Sequence, residues 1–132
     1  QLVHLVEVDD ARNVVAVALT PDGKTLYVAD TTERKIMAYD LDSAGNASNE
    51  RTFLSGLAGA PDGLRVAANG NVYIATGPVV VYTPQGELLK TIHFPEQAAN
   101  LEFGGPDLKT LYVTARTSVY RVRVSDQGWT IH

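Results

Sequence analysis

The chain has 132 residues, 45% of them hydrophobic and 20% charged, a composition that builds one globular unit with a buried core and excludes a disordered chain. Eleven Lys and Arg against 15 Asp and Glu leave a net charge of −4, so no overall basic field draws nucleic acid or an anionic membrane. There is no Cys, which excludes disulfides, thiolate zinc sites and a Cys nucleophile, and no apolar run reaches the roughly 18 to 20 residues that span a bilayer.

Taken in chain order, the predicted elements are all strands and turns. QLVHLVEVD from Gln1 reads as a first strand, followed by VAVALTPDGKTLYVAD ending at Asp30, KIMAYDLD from Lys35 and RTFLSGL from Arg51. GLRVAANGNVYIAT ending at Thr76, VVVYTPQG from Val79 and ELLKTIHF from Glu87 come next. LEFGGPDLKTLYVTA ending at Ala115, SVYRVRVSD from Ser118 and the short Trp129-Thr130-Ile131 complete the chain. These runs are rich in β-branched and aromatic residues and are bounded by Gly, Pro, Asn and Asp, whereas no stretch carries helical periodicity with a cap. Pro21-Asp22-Gly23-Lys24, Ala68-Asn69-Gly70-Asn71, Pro84-Gln85-Gly86-Glu87 and Pro106-Asp107-Leu108-Lys109 are the expected hairpin tips.

The pattern repeats. Tyr27, Tyr73 and Tyr112 mark the same place in three aligned segments, 46 and 39 residues apart. A unit of roughly 40 residues with four antiparallel strands is a β-propeller blade. The fold expected is therefore all-β, with blades at about 14–58, 59–96 and 97–132 and an N-terminal strand within 1–13; a β-sandwich is the competing arrangement. The blade strands alternate, with Leu26, Val28, Leu111 and Val113 on one face and Tyr27 and Tyr112 on the other.

LTPDGKTLYVADTTERKIMAYDLD from Leu19, GAPDGLRVAANGNVYIATGPVVVYTPQGELLKTI from Gly59 and AANLEFGGPDLKTLYVTARTSVYRVRV from Ala98 resemble the gluconolactonase and regucalcin family. The resemblance implies a six-bladed propeller that holds a divalent cation, usually calcium, at the centre of one face and hydrolyses sugar lactones or related esters. Only the family's C-terminal half is matched. The family's Pro-Asp-Gly ligand and proposed general base falls on Asp62, and a polar position near the channel mouth falls on Asn100, a candidate for touching substrate. The family's Asn ligand aligns with Val15, which cannot coordinate calcium. Asn13, two residues earlier, reaches the site only through a local bulge. The implied Glu ligand belongs to a blade that the sequence lacks, so metal binding weaker than the family's is expected.

Structural roles compete with these. Asp22 lies in a regular hairpin and is expected to bond its own backbone, Asp62 could line the channel as a turn, and Asn100 could cap a strand start. His4, His93 and His132 have no acidic partner at metal-ligand spacing, and no Ser sits in a Gly-x-Ser-x-Gly context. Arg116, Arg121 and Arg123 read as a solvated edge, and Gly104-Gly105 leads into a hairpin rather than a phosphate-binding helix.

Three blades do not close a ring, and each end of the arc is expected to present an apolar face. A two-fold homodimer of three blades plus three solves this, with residues 1 to 9 pairing with the partner's last blade. The functions that follow are a lactone hydrolase with an incomplete metal site using Asp62, or a non-catalytic binding module or structural homodimer. A small sugar-like lactone is the expected ligand. The compartment is left open between cytoplasmic and exported.

Overall fold

The computed structural model describes residues 2–130 and contains only strands and turns. The first sheet runs in order through β1 (Val14–Leu19), β2 (Thr25–Asp30), β3 (Lys35–Leu41) and β4 (Ala47–Leu54). The second holds β5 (Leu64–Val66), β6 (Val72–Ala75), β7 (Val79–Tyr82) and β8 (Leu88–Ile92). The third holds β9 (Ala98–Gly104), β10 (Thr110–Ala115) and β11 (Val119–Arg123). Every pairing is antiparallel between sequence neighbours, as short turns require. No helix among the described residues is long and apolar enough to cross a membrane.

The turns form where their chemistry places them. Asp22 Oδ1 accepts from Thr20 Oγ1 at 2.6 Å and from Lys24 N at 2.9 Å, closing the β1–β2 tip, and Asn69 Oδ1 does the same for Asn71 N at 3.1 Å between β5 and β6. Gly23, Gly70 and Gly86 take positive φ at three of these tips.

The sheets stack face to face. Ala18, Tyr27, Ala29, Ile36 and Ala38 of the first sheet bury against Leu64, Val66, Val72 and Ile74 of the second. The opposite face of the second sheet, with Tyr73, Ala75, Val79 and Val81, packs against Leu101, Phe103, Leu111 and Val113 of the third. The alternation of Val28 and Leu111 against Tyr27 and Tyr112 is as expected, since each strand sends alternate side chains to the two faces. β1, β5 and β9 are the inner strands, with β5 between the other two.

Neither chain end adds a strand among the described residues. Leu2–Asn13 forms no strand, although Val6 and Val8 still pack on Val28, Met37 and Tyr39 at the outer face of the first sheet. Ile92 and Phe94, at the end of the second sheet's outer strand, pack on the third sheet in the same way. Gln1 lies outside the described residues. Among the described residues the third sheet has three strands: Trp129 turns inward to donate its Nε1–H to Val66 O at 2.9 Å, and Ile131, expected in a short fourth strand, lies outside the described residues. Asp126 holds this segment by accepting from Asn69 Nδ2, Asn71 Nδ2 and Tyr73 Oη at 2.8 to 3.0 Å.

The end faces also differ. The Val28, Met37 and Tyr39 patch is covered by residues of the chain's own N-terminal segment. At the other end, cross-strand register puts Asn100, Thr114 and Val119 in one row and Glu102, Tyr112 and Arg121 in the next. The equivalent rows of the first sheet are Ala16, Ala29, Ile36 and Ala18, Tyr27, Ala38. Four apolar positions have become polar, so that face is not an apolar one.

Candidate functional site

The inner strands share a defect at one end. β1 skips Val15 between the pairs Val14↔Asp30 and Ala16↔Ala29, and β9 skips Ala99 between Asn100↔Thr114 and Ala98↔Ala115. In the second sheet Asp62 N donates to Ala75 O while Ala75 N donates to Gly63 O, both at 2.9 Å, so two residues again face one. Ala29, Ala75 and Thr114 are equivalent partners, and the three bulges therefore align Val15, Asp62 and Ala99. An extra residue at this point turns its side chain out of the core alternation.

The bulge also joins the sheets. Gly63 N, released from its own hairpin, donates to Ala99 O at 2.8 Å. Asn100 then lies directly over Gly63, close enough that a β-carbon there would fall 2.1 Å from its Oδ1. Asp62 and Asn100 thus flank one stitched pair of inner strands. The Asp62 carboxylate is exposed and accepts no hydrogen bond among the described residues. Asn100 Oδ1 accepts from Leu101 N at 2.9 Å, the strand-capping role, and its amide nitrogen keeps both hydrogens for another acceptor.

Asn13 stands apart. Its N–H donates to Asp30 Oδ1 at 3.2 Å and its carbonyl accepts from Thr31 N at 3.0 Å, which holds it in the extension of β1 beside β2. The bulge that it needed exists, but at Val15, and no hydrogen bond joins Asn13 to Asp62 or Asn100. Asp30, fully buried, also accepts from Arg12 N at 2.9 Å and Glu33 N at 3.2 Å. Burial alone would raise its carboxyl pKa, but these N–H groups outweigh it and hold the value below the usual carboxylate range.

A calcium ion takes six to eight oxygens. At the three aligned positions only Asp62 carries an oxygen in its side chain, and no group of three or more His, Cys, Asp or Glu gathers for a metal among the described residues. These residues do not make a calcium site by themselves.

Sequence reasoning missed the neighbourhood below. Arg65 Nε lies 3.4 Å from Glu102 Oε2, an ion pair that bridges β5 and β9 one turn of the pleat from Asp62 and Asn100. A cavity of about 390 Å³ continues from it between the inner strands, lined by Val17, Leu19, Phe103 and Trp129. Opposite charges at matching places in two repeats, Arg65 and Glu102, were the available signal.

A family model described as "SMP-30/Gluconolactonase/LRE-like region" matches residues 5–117. A gluconolactonase of Zymomonas mobilis is 36% identical over 124 residues, covering 84% of this chain and 35% of that protein. A 6-deoxy-6-sulfogluconolactonase of Pseudomonas putida is 33% identical over 105 residues, covering 74% of this chain and 36% of the relative. The solved structure of a gluconolactonase from Xanthomonas campestris superposes with a TM-score of 0.78 at 29% identity, over 88% of this chain and 39% of that one. The chain thus spans little more than a third of the length of these relatives.

Proposed function

Because the chain belongs to the SMP-30/gluconolactonase/LRE-like family, we propose that it forms part of a hydrolase of sugar lactones, with Asp62 as its acid–base group. The observation that carries this reading is the exposed, unpaired Asp62 carboxylate at a bulge beside a free Asn100 amide.

In the reaction, water adds to the lactone carbonyl, the ring C–O bond breaks, and a carboxylic acid and a hydroxyl result. Asp62 takes the proton of the attacking water and returns it to the departing ring oxygen. Asn100 donates its amide N–H to the carbonyl oxygen as negative charge develops there. The family's cation would supply stronger polarisation of that carbonyl, but the described residues offer too few oxygens for it, and no step here depends on it.

The test is hydrolysis of glucono-1,5-lactone followed by proton release. Asp62→Asn is expected to lower kcat by about 100-fold or more with an unchanged unfolding midpoint. Full activity in that variant, or no activity in the native chain, removes the reading. Val15 and Ala99 at the positions aligned with Asp62 favour a second reading, a propeller face that binds a sugar-like ligand without turning it over. Ligand binding by calorimetry without hydrolysis would distinguish it.

A further inference from the structure

We propose that the gap between the first and second sheets, beside the β1–β2 and β7–β8 tips, is a binding site for a small free carboxylate with an apolar body, held by the hydroxyls of Tyr27 and Thr25 and the guanidinium of Arg51. These tips lie at the end of the sheets away from the bulges and Asp62, and both walls of the gap fall within residues 14–92.

A cavity of about 410 Å³ opens there, walled by Tyr27, Ala38, Arg51 and Phe53 of the first sheet and by Pro84 and Gln85 of the second. Tyr27 is only 5% exposed, yet its hydroxyl makes no hydrogen bond among the described residues. No fully enclosed side-chain oxygen of the described residues lacks a partner, so the Tyr27 hydroxyl is the part of that residue that reaches the cavity. A phenol buried to this degree normally has a partner. Thr25 Oγ1, two residues away on the same face and lining the same cavity, is likewise unbonded.

The next gap shows what fits. Tyr73 stands in the second sheet where Tyr27 stands in the first, and its hydroxyl donates to Asp126 Oδ2 at 2.8 Å. Asn71, two residues before Tyr73 as Thr25 is before Tyr27, donates its Nδ2–H to the same oxygen at 2.9 Å. A cation completes the set, because cross-strand register runs Tyr73, Val81, Lys90 in the second sheet and Tyr27, Ala38, Arg51 in the first. Burial raises the Asp126 carboxyl pKa, but the hydrogen bonds and the Lys90 charge hold it below the ordinary value. Asp126 comes from the loop after β11, whereas the corresponding loop after β7 is Thr83-Pro84-Gln85-Gly86 and has no acid. The first gap thus repeats the phenol, its polar neighbour and the cation, and leaves the carboxylate to a ligand.

Charge in the first gap suits an anion. Arg51 donates one N–H to Asn49 O at 2.9 Å and pairs with Asp40 Oδ1 at 3.0 Å, which leaves other N–H groups of its fork for a further acceptor. Asp22, the other acid close by, is engaged by Thr20 Oγ1 and Lys24 N. Burial pushes the Tyr27 phenol above its usual pKa range, so it stays protonated and donates. At that oxygen the field of Arg51 outweighs that of Asp22. The Phe53 ring, 4.7 Å from the ring of Tyr27, gives an apolar body its wall, together with Ala38 and Pro84.

This inference does not rest on the lactonase reading, and the probe is benzoate. Calorimetric titration of the native chain with benzoate at neutral pH is expected to show saturable binding. Methyl benzoate, nearly the same body without the charge, is expected to bind at least about ten-fold more weakly. Tyr27→Phe removes a hydroxyl that bonds nothing in the protein, so it should keep the native unfolding midpoint and weaken benzoate binding by about ten-fold. Arg51→Gln should weaken it by about as much. Neither substitution touches Asp62 or Asn100, so benzoate binding and lactone hydrolysis are read separately. No saturable binding to the native chain, methyl benzoate binding as tightly as benzoate, or benzoate affinity unchanged in Tyr27→Phe or in Arg51→Gln would each overturn the proposal.

Discussion

The amide of Asn100 occupies the space that a side chain on Gly63 would need. A β-carbon at Gly63 would lie 2.1 Å from Asn100 Oδ1 and 2.9 Å from Asn100 Cα, so rotation of the amide does not relieve the overlap. Gly63→Ala must therefore push β5 and β9 apart, at a cost of about 1 to 3 kcal/mol in urea unfolding. Under the lactonase reading it also displaces Asn100 from Asp62, so hydrolysis should fall by more than the loss of folded protein explains.

Asp30 supports the approach to the same bulge. It is fully buried and accepts three backbone N–H groups, from Arg12, Asn13 and Glu33. Asp30→Ala strands those donors, and a loss of about 2 to 4 kcal/mol is expected from the usual cost of unsatisfied groups bonded to a charge. Amide exchange at residues 12 and 13 should rise with it.

Asp126 makes stability depend on acid. Burial raises its carboxyl pKa, but hydrogen bonds from Asn71, Tyr73 and Asn69 outweigh that, so the folded value lies below the ordinary one. A lowered folded pKa means that the stabilisation is present above the unfolded value of about 3.9 and is lost as pH falls through the folded value. Urea midpoints measured from pH 6 to pH 2.5 should therefore drop below about pH 4. Asp126→Asn should lower the midpoint at pH 6 and flatten the acid limb.

Trp129 is the single Trp of the chain, and its Nε1–H ends on Val66 O. Trp129→Phe keeps an aromatic wall in the cavity but removes that bond, with an expected loss of about 1 kcal/mol. In the native chain, quenching of the lone indole by acrylamide should be weak until the C-terminal segment detaches, and the Asp126→Asn variant should quench more readily.

What the sequence discloses follows from how local each determinant is. The tips at Asp22 and Asn69 are legible because a side chain bonds a backbone group two residues on, and the three repeats follow from them. Residues 2–13 and the Trp129 segment are not legible in the same way: an extended apolar run becomes a strand only if an edge lies beside it, and no local pattern says whether one does. The bulges are hidden because Val14-Val15-Ala16 and Ala98-Ala99 are uniformly small or apolar, so an inserted residue leaves no break in alternation. Asp62 was found by likeness to a family. Its closeness to Asn100 depends on the N–H of Gly63 reaching Ala99 in another sheet, a contact between residues far apart in sequence.

The aligned bulges have a further consequence for how such a molecule changes over time. A residue in regular alternation is constrained twice, by the core on one side and by register along the strand. Val15, Asp62 and Ala99 are free of both constraints, because each is the surplus member of its pair. They act as three interchangeable sockets on a common frame, where a ligand, a base or an inert filler can be exchanged by one codon while the layers beneath keep their packing.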